Sequence, residues 1–259
     1  MKILDTTGGN TKLSKNNKDV KLRVAGASMM PDIKLCPMQV IAGCKEPCLE
    51  SSGRGGFDAV KAARQAKSDW YHSDRQGFIA QLKHELTNFL KLCKKNGVQC
   101  WVRLNVLSDV QWELATNGNI PQSFPEINFY DYTKVAKRLT KLPRNYKLMF
   151  SYSKAPKYQK QVQLALKTDV PMSVVFYGPF PETFMGKVVV DGDKSDILNL
   201  DQRGKIVALK YKVAKGKGID PAHHIFVVNT YTLNAMLDSV KFSRPIPVFS
   251  KLIPTVQVA

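Results

Sequence analysis

The sequence predicts an α/β fold, a single domain built on a partial (β/α) barrel-like, mostly parallel sheet with flanking helices. Short apolar strand patterns alternate along the chain with helical patterns, which is typical of parallel sheets. The 259 residues are 44% hydrophobic, enough for one large domain with a buried core. Six or so strand–helix units can curve into part of a barrel through right-handed crossovers.

The domain organisation follows from the distribution of these patterns. We expect an α/β domain over residues 1–230, with a cysteine loop at residues 35–56. Residues 231–259 carry three prolines and no strong periodicity, so we expect a C-terminal tail that packs on the surface of the domain.

The first half of the chain contains the clearest elements. Residues 21–29 alternate well enough for a strand, and residues 56–68 have apolar side chains near helical spacing. A longer helix is predicted over residues 74–95, because its apolar residues recur at intervals of three and four and Asn96-Gly97 ends the pattern. Residues 98–109 form the clearest strand, with alternating apolar positions that place Cys100 in the core.

The second half repeats the strand pattern. Helical segments are predicted at residues 134–142 and 157–167, between strands. The strands themselves are predicted at residues 128–133, 146–153, 170–178, 187–191 and 205–213. This alternation is the main reason for expecting a parallel sheet.

Three of the five cysteines, Cys36, Cys44 and Cys48, lie in the loop at residues 35–56. Prolines and a glycine interrupt the backbone between them, and three thiols on one short loop can converge on one centre. Thiolates are soft ligands that select zinc, copper(I) or iron–sulfur clusters. Three interpretations stay open: unrelated buried thiols, a structural zinc that needs a fourth ligand, or a cluster with one open iron site.

Polar residues gather where the strand at residues 98–109 ends. Arg103 and Asn105 lie on the face opposite its apolar residues, and Ser108 and Asp109 follow. Because parallel α/β folds place their sites at the carboxyl ends of strands, these four residues are the candidate catalytic residues.

Two later strands end in the same way. Asp131 closes one of them, and Ser151 and Ser153 close the next. Together with Asn105, they are the candidate cofactor-binding residues. In a shared site, Asn105 or Asp109 would bind a ribose or an amino group through hydrogen bonds, and Arg103 would bind a carboxylate.

The charge of the chain is far from balanced. Lys and Arg number 39 against 21 Asp and Glu, a net charge of +18. This excess favours a polyanionic partner, DNA or RNA, although lysine-rich surfaces also serve solubility. No apolar run approaches the ~20 residues of a membrane span. The start lacks a signal-peptide pattern and the cysteine count is odd, so we expect a cytoplasmic protein with reduced or metal-bound thiols.

Several phrases within residues 1–230 are distinctive together. They are K-I-L-D-T-T-G-G-N-T-K-L, G-C-K-E-P-C-L-E-S-S-G-R-G, V-R-L-N-V-L-S-D-V-Q-W-E, F-Y-D-Y-T-K, F-S-Y-S and V-D-G-D-K-S-D. In this order they resemble the phage "gene product eighty-eight" family. The cysteine loop is also distantly similar to that of radical S-adenosylmethionine enzymes, which combine such a loop with a (β/α) barrel. That resemblance implies a 4Fe–4S cluster on Cys36, Cys44 and Cys48, with S-adenosylmethionine at the fourth iron.

Two hypotheses on function follow. The first is a phage-encoded iron–sulfur protein, a radical-S-adenosylmethionine-like enzyme that acts on nucleic acid or nucleotides in the cytoplasm of the infected host. The alternative is a non-catalytic, basic nucleic-acid-binding protein whose cysteine loop holds a structural zinc. The sequence leaves the choice between them open.

Overall fold

A computed structural model of the chain describes residues 1–6, 21–49, 53–212 and 218–232. The tail predicted over residues 231–259 therefore lies outside the described residues beyond position 232. Within the described ranges, no helix is long and apolar enough to cross a membrane.

One mixed sheet contains ten strands within the described ranges. In chain order they are β1 (Leu4–Asp5), β2 (Leu22–Ala27), β3 (Gln99–Arg103), β4 (Asn128–Thr133), β5 (Tyr146–Ser151), β6 (Met172–Tyr177), β7 (Thr183–Phe184), β8 (Lys187–Asp191), β9 (Ile206–Lys210) and β10 (Val228–Asn229). Their spatial order is β1-β2-β3-β4-β5-β6-β9-β8-β7, with β10 beside β6. Only β1–β2 and β7–β8 are antiparallel among these pairs. The predicted mostly parallel, incompletely closed sheet is confirmed.

Helices flank this sheet. They are α1 (Asp58–Ser73), α2 (Arg75–Lys95), α3 (Ile120–Ser123), α4 (Gln159–Leu166) and α5 (Asp196–Asn199). The helix predicted from residue 56 starts at Asp58 and continues to Ser73. The helix predicted over residues 134–142 is instead a short 3-10 turn, Ala136–Thr140. The backbone N–H of Arg138 bonds to the C=O of Val135, three residues earlier, which is the tighter 3-10 pattern.

The longest helix, α2, is amphipathic as its spacing predicts. The side chain of Asp74 accepts a hydrogen bond from the backbone N–H of Gly77 and caps its first turn. Its buried stripe packs on the sheet, and burying each large apolar side chain contributes roughly 1.5–3 kcal/mol. The stripe consists of Phe78, Leu82, Leu86, Phe89 and Cys93. Cys100 is in this core, as expected, and Cys93 lies in it too.

The two faces of the sheet bury different clusters. The larger core lies on the face covered by α1, α2 and α4. A smaller cluster on the other face contains Val24, Trp101, Tyr130, Met149, Val207 and Leu200. Because side chains alternate along a strand, two residues further along β3, β4 and β5 the same face carries Arg103, Tyr132 and Ser151. The second face therefore leads from an apolar cluster to polar groups at the carboxyl ends.

The strand predicted over residues 98–109 ends at Arg103. Beyond it, the Asn105 side chain accepts a hydrogen bond from the N–H of Val110 and donates one to its C=O. A side chain that bonds the backbone in this way competes with the sheet ladder, so the chain turns into a loop.

Candidate functional site

A cavity opens at the carboxyl ends of the parallel strands. Its empty volume is about 1070 Å³, including the part open to solvent. The cysteine loop, the loop after β3, the ends of β4, β5 and β9, and residues within β6 all contribute to its walls. Eight of the ten predicted site residues line it: Cys36, Cys44, Cys48, Arg103, Asn105, Ser108, Asp109 and Ser151. The structure thus brings together residues far apart in the chain, at the edge of the sheet where parallel folds place their sites.

The cysteine loop is fixed to the sheet by hydrogen bonds. The backbone N–H of Asp109 donates to the C=O of Leu35 over 2.7 Å. The hydroxyl of Ser153 donates to the C=O of Ala42, also over 2.7 Å. Ser153 is fully buried and is not among the cavity-lining residues. The structure therefore places Ser153 behind the loop, where it holds the loop on the strand end.

Gly43 allows the chain to turn immediately before Cys44. Its φ angle is +63°, a left-handed conformation that residues with a Cβ rarely adopt. A Cβ atom there would also lie 2.5 Å from the side chain of Ile225. The turn brings Cys44 back toward Cys36 at the cavity wall, so a glycine is required at this position.

The thiols are electrostatically coupled. Burial raises the pKa of Cys36 far above its ordinary value, and the nearby Asp109 and Cys44 raise it further. Burial also raises the pKa of Cys44, while the positive charge of Lys134 opposes the increase for both thiols. Both groups are therefore protonated in the metal-free protein, and a bound metal would displace the protons.

Lys134 is a cavity residue that the sequence reasoning missed. It follows β4 directly and is only 9% exposed. Its Nζ donates a hydrogen bond to the Ser151 hydroxyl over 2.6 Å and lies 4.6 Å from the centre of the Phe226 ring. Its backbone N–H donates to Asp109. The sequence feature that could have identified Lys134 is its position at the end of F-Y-D-Y-T-K, at the same edge of the sheet as the predicted polar residues.

Asn105 uses all of its side-chain hydrogen-bonding groups within the protein. Its amide N–H groups donate to the C=O of Val110 and to a carboxylate oxygen of Asp131. Its Oδ1 accepts from Ser108, Trp112 and the N–H of Val110. The predicted ribose or amino-group contact would break this network, so Asn105 acts as a positioning residue that shapes the loop after β3.

Asp131 lies beneath the cavity and is not among its lining residues. It is fully buried and accepts hydrogen bonds from the N–H of Asn105 over 2.6 Å and from the Tyr146 hydroxyl over 2.8 Å. Burial raises its pKa to about 7, although the nearby arginines and these hydrogen bonds oppose the increase. The carboxyl group therefore supports Asn105 from behind the site.

This raised pKa predicts a specific pH dependence of stability. The folded state binds the proton of Asp131 more tightly than the unfolded chain, whose reference pKa is 3.8. The stabilisation is thus complete below pH 3.8 and is lost as the pH rises through about 7. In Asp131→Asn, the fall in unfolding free energy between these pH values should be smaller by on the order of 3 kcal/mol.

Urea denaturation of both proteins across this range measures the difference directly. Asp201→Asn is the matched control, because Asp201 is an exposed carboxylate paired with Lys147. Its profile should run parallel to that of the unmodified protein. Parallel profiles for Asp131→Asn as well would show that Asp131 titrates normally.

Two ion pairs complete the site. Arg103, 5% exposed, donates through Nη1 to Asp196 over 2.8 Å and stacks on the ring of Tyr132 at 4.5 Å. Asp109 accepts from Nη1 of Arg138 over 2.6 Å. Arg103 and Asp109 were both predicted as catalytic residues. The charge of each is compensated by a partner that does not line the cavity, Asp196 or Arg138.

The donor set decides which metal group could bind here. Within the described ranges, no group of three or more His, Cys, Asp or Glu side chains is arranged to hold one metal ion. The described cavity wall supplies three cysteines but no histidine and no fourth cysteine. Structural zinc is almost always four-coordinate, so these residues do not fit zinc well. In an iron–sulfur cluster each thiolate would instead bind a different iron.

The fold and the site define an α/β protein with a cysteine-lined cavity at the carboxyl ends of a parallel sheet. A family model described as Gene product 88 matches residues 2–225, and the chain belongs to this bacteriophage family. No curated protein and no solved structure matches the chain. The predicted family is thus confirmed, while none of these comparisons matches a radical S-adenosylmethionine enzyme.

Proposed function

We propose that this phage protein is an iron–sulfur enzyme that acts on a nucleotide or nucleic acid in the cytoplasm of the infected host. Cys36, Cys44 and Cys48 would hold a 4Fe–4S cluster that leaves one iron open for S-adenosylmethionine. The observation that carries the proposal is the position of these cysteines, which line one cavity together at the carboxyl ends of the parallel strands. Parallel α/β folds perform their chemistry at that edge.

The residues around the thiols would stabilise a negatively charged group. A cluster bound by thiolates adds negative charge to a partly buried site, and such charge requires compensation. The ammonium group of Lys134 supplies it, because Lys134 lowers the pKa of both Cys36 and Cys44 against the effect of burial. Its hydrogen bond to Ser151 and its contact with Phe226 fix the ammonium group in place.

Other residues of the protein hold the two loops of the cavity in position. Asp109 links the cysteine loop to the loop after β3, through its N–H to Leu35 and its carboxylate to Lys134. Asn105 and Asp131 fix that second loop from behind. When bound, the cluster would supply electron transfer to S-adenosylmethionine. The cavity walls would orient the substrate and keep bulk water from the reacting groups.

Anoxic isolation tests the proposal. Protein purified and reconstituted without oxygen should be brown, and after reduction it should give the electron paramagnetic resonance signal of a 4Fe–4S cluster. Because one iron would be open, S-adenosylmethionine should alter that signal. A colourless protein that contains zinc would support the structural-zinc alternative instead. A colourless protein without metal would refute both assignments.

The choice of substrate class rests on charge. The net charge of +18 favours a polyanion, and neutralised phosphates release counterions on binding. We therefore expect single-stranded DNA or RNA to bind with an affinity that falls steeply as salt rises. Fluorescence anisotropy with a labelled oligonucleotide over a salt series measures the slope. Absent binding at low salt, or binding that ignores salt, would exclude nucleic acid and leave nucleotides as substrates.

A further inference from the structure

The guanidinium group of Arg103 has fewer hydrogen bonds than its burial requires. It carries five N–H donors. One of them, on Nη1, donates to Asp196 over 2.8 Å. The Nε atom is buried and has no partner, and no other hydrogen bond of this group is found among the described residues. Buried polar groups are nearly always hydrogen-bonded. A guanidinium group in a cavity wall whose N–H donors lack a partner therefore indicates a ligand that binds there.

The contacts of Arg103 leave one edge of its guanidinium group without a hydrogen-bond partner. Asp196 uses Oδ2 for Nη1 of the arginine and accepts the Tyr132 hydroxyl through Oδ1 over 2.9 Å. The Tyr132 ring lies against the guanidinium plane at 4.5 Å. These contacts fix the orientation of the group, and the remaining edge consists of Nε and Nη2. Two parallel N–H groups on such an edge match the two oxygens of a carboxylate or a phosphate.

The charge of the cavity wall also favours an anion. Asp109 is neutralised by its buried arginine partner, and Asp193 lies 3.8 Å from the ammonium group of Lys212. Two further lysines line the cavity, Lys134 and Lys210, and neither ammonium group forms an ion pair with an acidic side chain among the described residues. The wall therefore carries excess positive charge, which a bound anion would balance.

A hydroxyl group near the lysine adds a further donor. Ser151 accepts the hydrogen bond of Lys134 through its oxygen, so its own proton is available to a ligand. It is the register partner of Ser173 on the next strand, and both serines line the cavity. Arg103 and Ser151 lie on the same face of strands β3 and β5.

We propose that the Nε–Nη2 edge of Arg103, together with the Ser151 hydroxyl, binds the oxyanion of a small substrate, a carboxylate or a phosphate. This subsite would select a negatively charged substrate for the proposed enzyme, so the inference rests on the proposed function. Binding itself needs no cluster, so it can be measured on metal-free protein.

The test is a titration of metal-free protein with inorganic phosphate and, in a separate arm, with acetate, followed by calorimetry and by the thermal unfolding midpoint. At least one anion should bind, and the stronger arm identifies its chemistry. Arg103→Lys keeps a cation beside Asp196 but lacks the Nε–Nη2 edge. It should weaken binding about tenfold or more, because hydrogen bonds to a charged group are involved.

Two further variants keep the result decisive. Ser151→Ala leaves the arginine in place and should weaken the same anion several-fold, so it decides the matter if Arg103→Lys does not fold. Lys147→Met removes an exposed lysine outside the cavity and should change nothing. The proposal is overturned if neither anion binds or if both cavity variants bind the anion normally. It is also overturned if the Lys147 variant loses as much affinity for the anion as the cavity variants do. A colourless protein that binds phosphate through Arg103 would refute the cluster and leave the subsite standing.

Discussion

Arg138→Met is expected to lower the free energy of unfolding by about 3–5 kcal/mol, the range for breaking a buried ion pair by removing one partner. The guanidinium group of Arg138 donates to both carboxylate oxygens of Glu113, over 2.7 and 2.9 Å, and to Asp109 over 2.6 Å. It also bonds to the Tyr146 hydroxyl. Its side chain is only 2% exposed, so the variant would leave two carboxylates buried without their cation.

The same variant should also disturb the cavity. Asp109 accepts the N–H of Lys134 and donates its own N–H to Leu35 in the cysteine loop. Without its cation, the Asp109 carboxylate is expected to move toward solvent, and the two segments that it bonds would then shift with it. We therefore expect reduced metal retention in Arg138→Met in addition to the lower stability.

Urea denaturation compares Arg138→Met with a matched surface variant. Lys147→Met removes the cation of an ion pair whose partners are 47% and 69% exposed, and such pairs contribute at most about 1 kcal/mol. Arg138→Lys should fall between the two, because lysine keeps the charge but lacks the planar fork that fits both oxygens of Glu113. A loss in Arg138→Met no larger than that of Lys147→Met would show that the buried network contributes little.

Alanine at any one of Cys36, Cys44 and Cys48 is expected to abolish or strongly reduce the bound cluster. Each thiolate would hold a different iron, and the cavity wall offers no fourth cysteine or histidine among the described residues as a substitute. The visible absorption of anoxically reconstituted protein, with its iron content, measures the loss.

The other two cysteines provide the controls. Cys93 and Cys100 are buried in the core between α2 and β3, away from the cavity. Alanine at either position should lower stability, because it removes packed volume, yet it should leave the cluster in place. Equal cluster loss in all five variants would indicate general instability. Unchanged cluster content in the three loop variants would exclude the loop as the ligand.

Much of the fold follows from local patterns in the sequence. The stripe of α2 has an unbroken spacing of three and four, and residues 128–133 and 187–191 form strands with the predicted bounds. The edge of the sheet that carries the site could also be predicted, because parallel strands bring their carboxyl ends together. Eight of ten candidate residues consequently line one cavity.

The roles of individual residues could not be predicted, because they depend on contacts across long stretches of chain. Arg103 finds its carboxylate 93 residues away, and Ser153 finds its carbonyl 111 residues away. No periodicity indicates that the amide of Asn105 is fully used within the protein. Lys134 was missed because a lysine after a strand is typical of an exposed loop, and only the folded chain buries it beside Ser151.

The central claim is that three sulfurs from one early loop share an iron-containing group in this cavity. Quantitative iron, acid-labile sulfide and zinc analysis of anoxically reconstituted protein tests it most directly. The account predicts about four iron and about four sulfide per chain, with no stoichiometric zinc. One zinc per chain, or no metal at all, would contradict it.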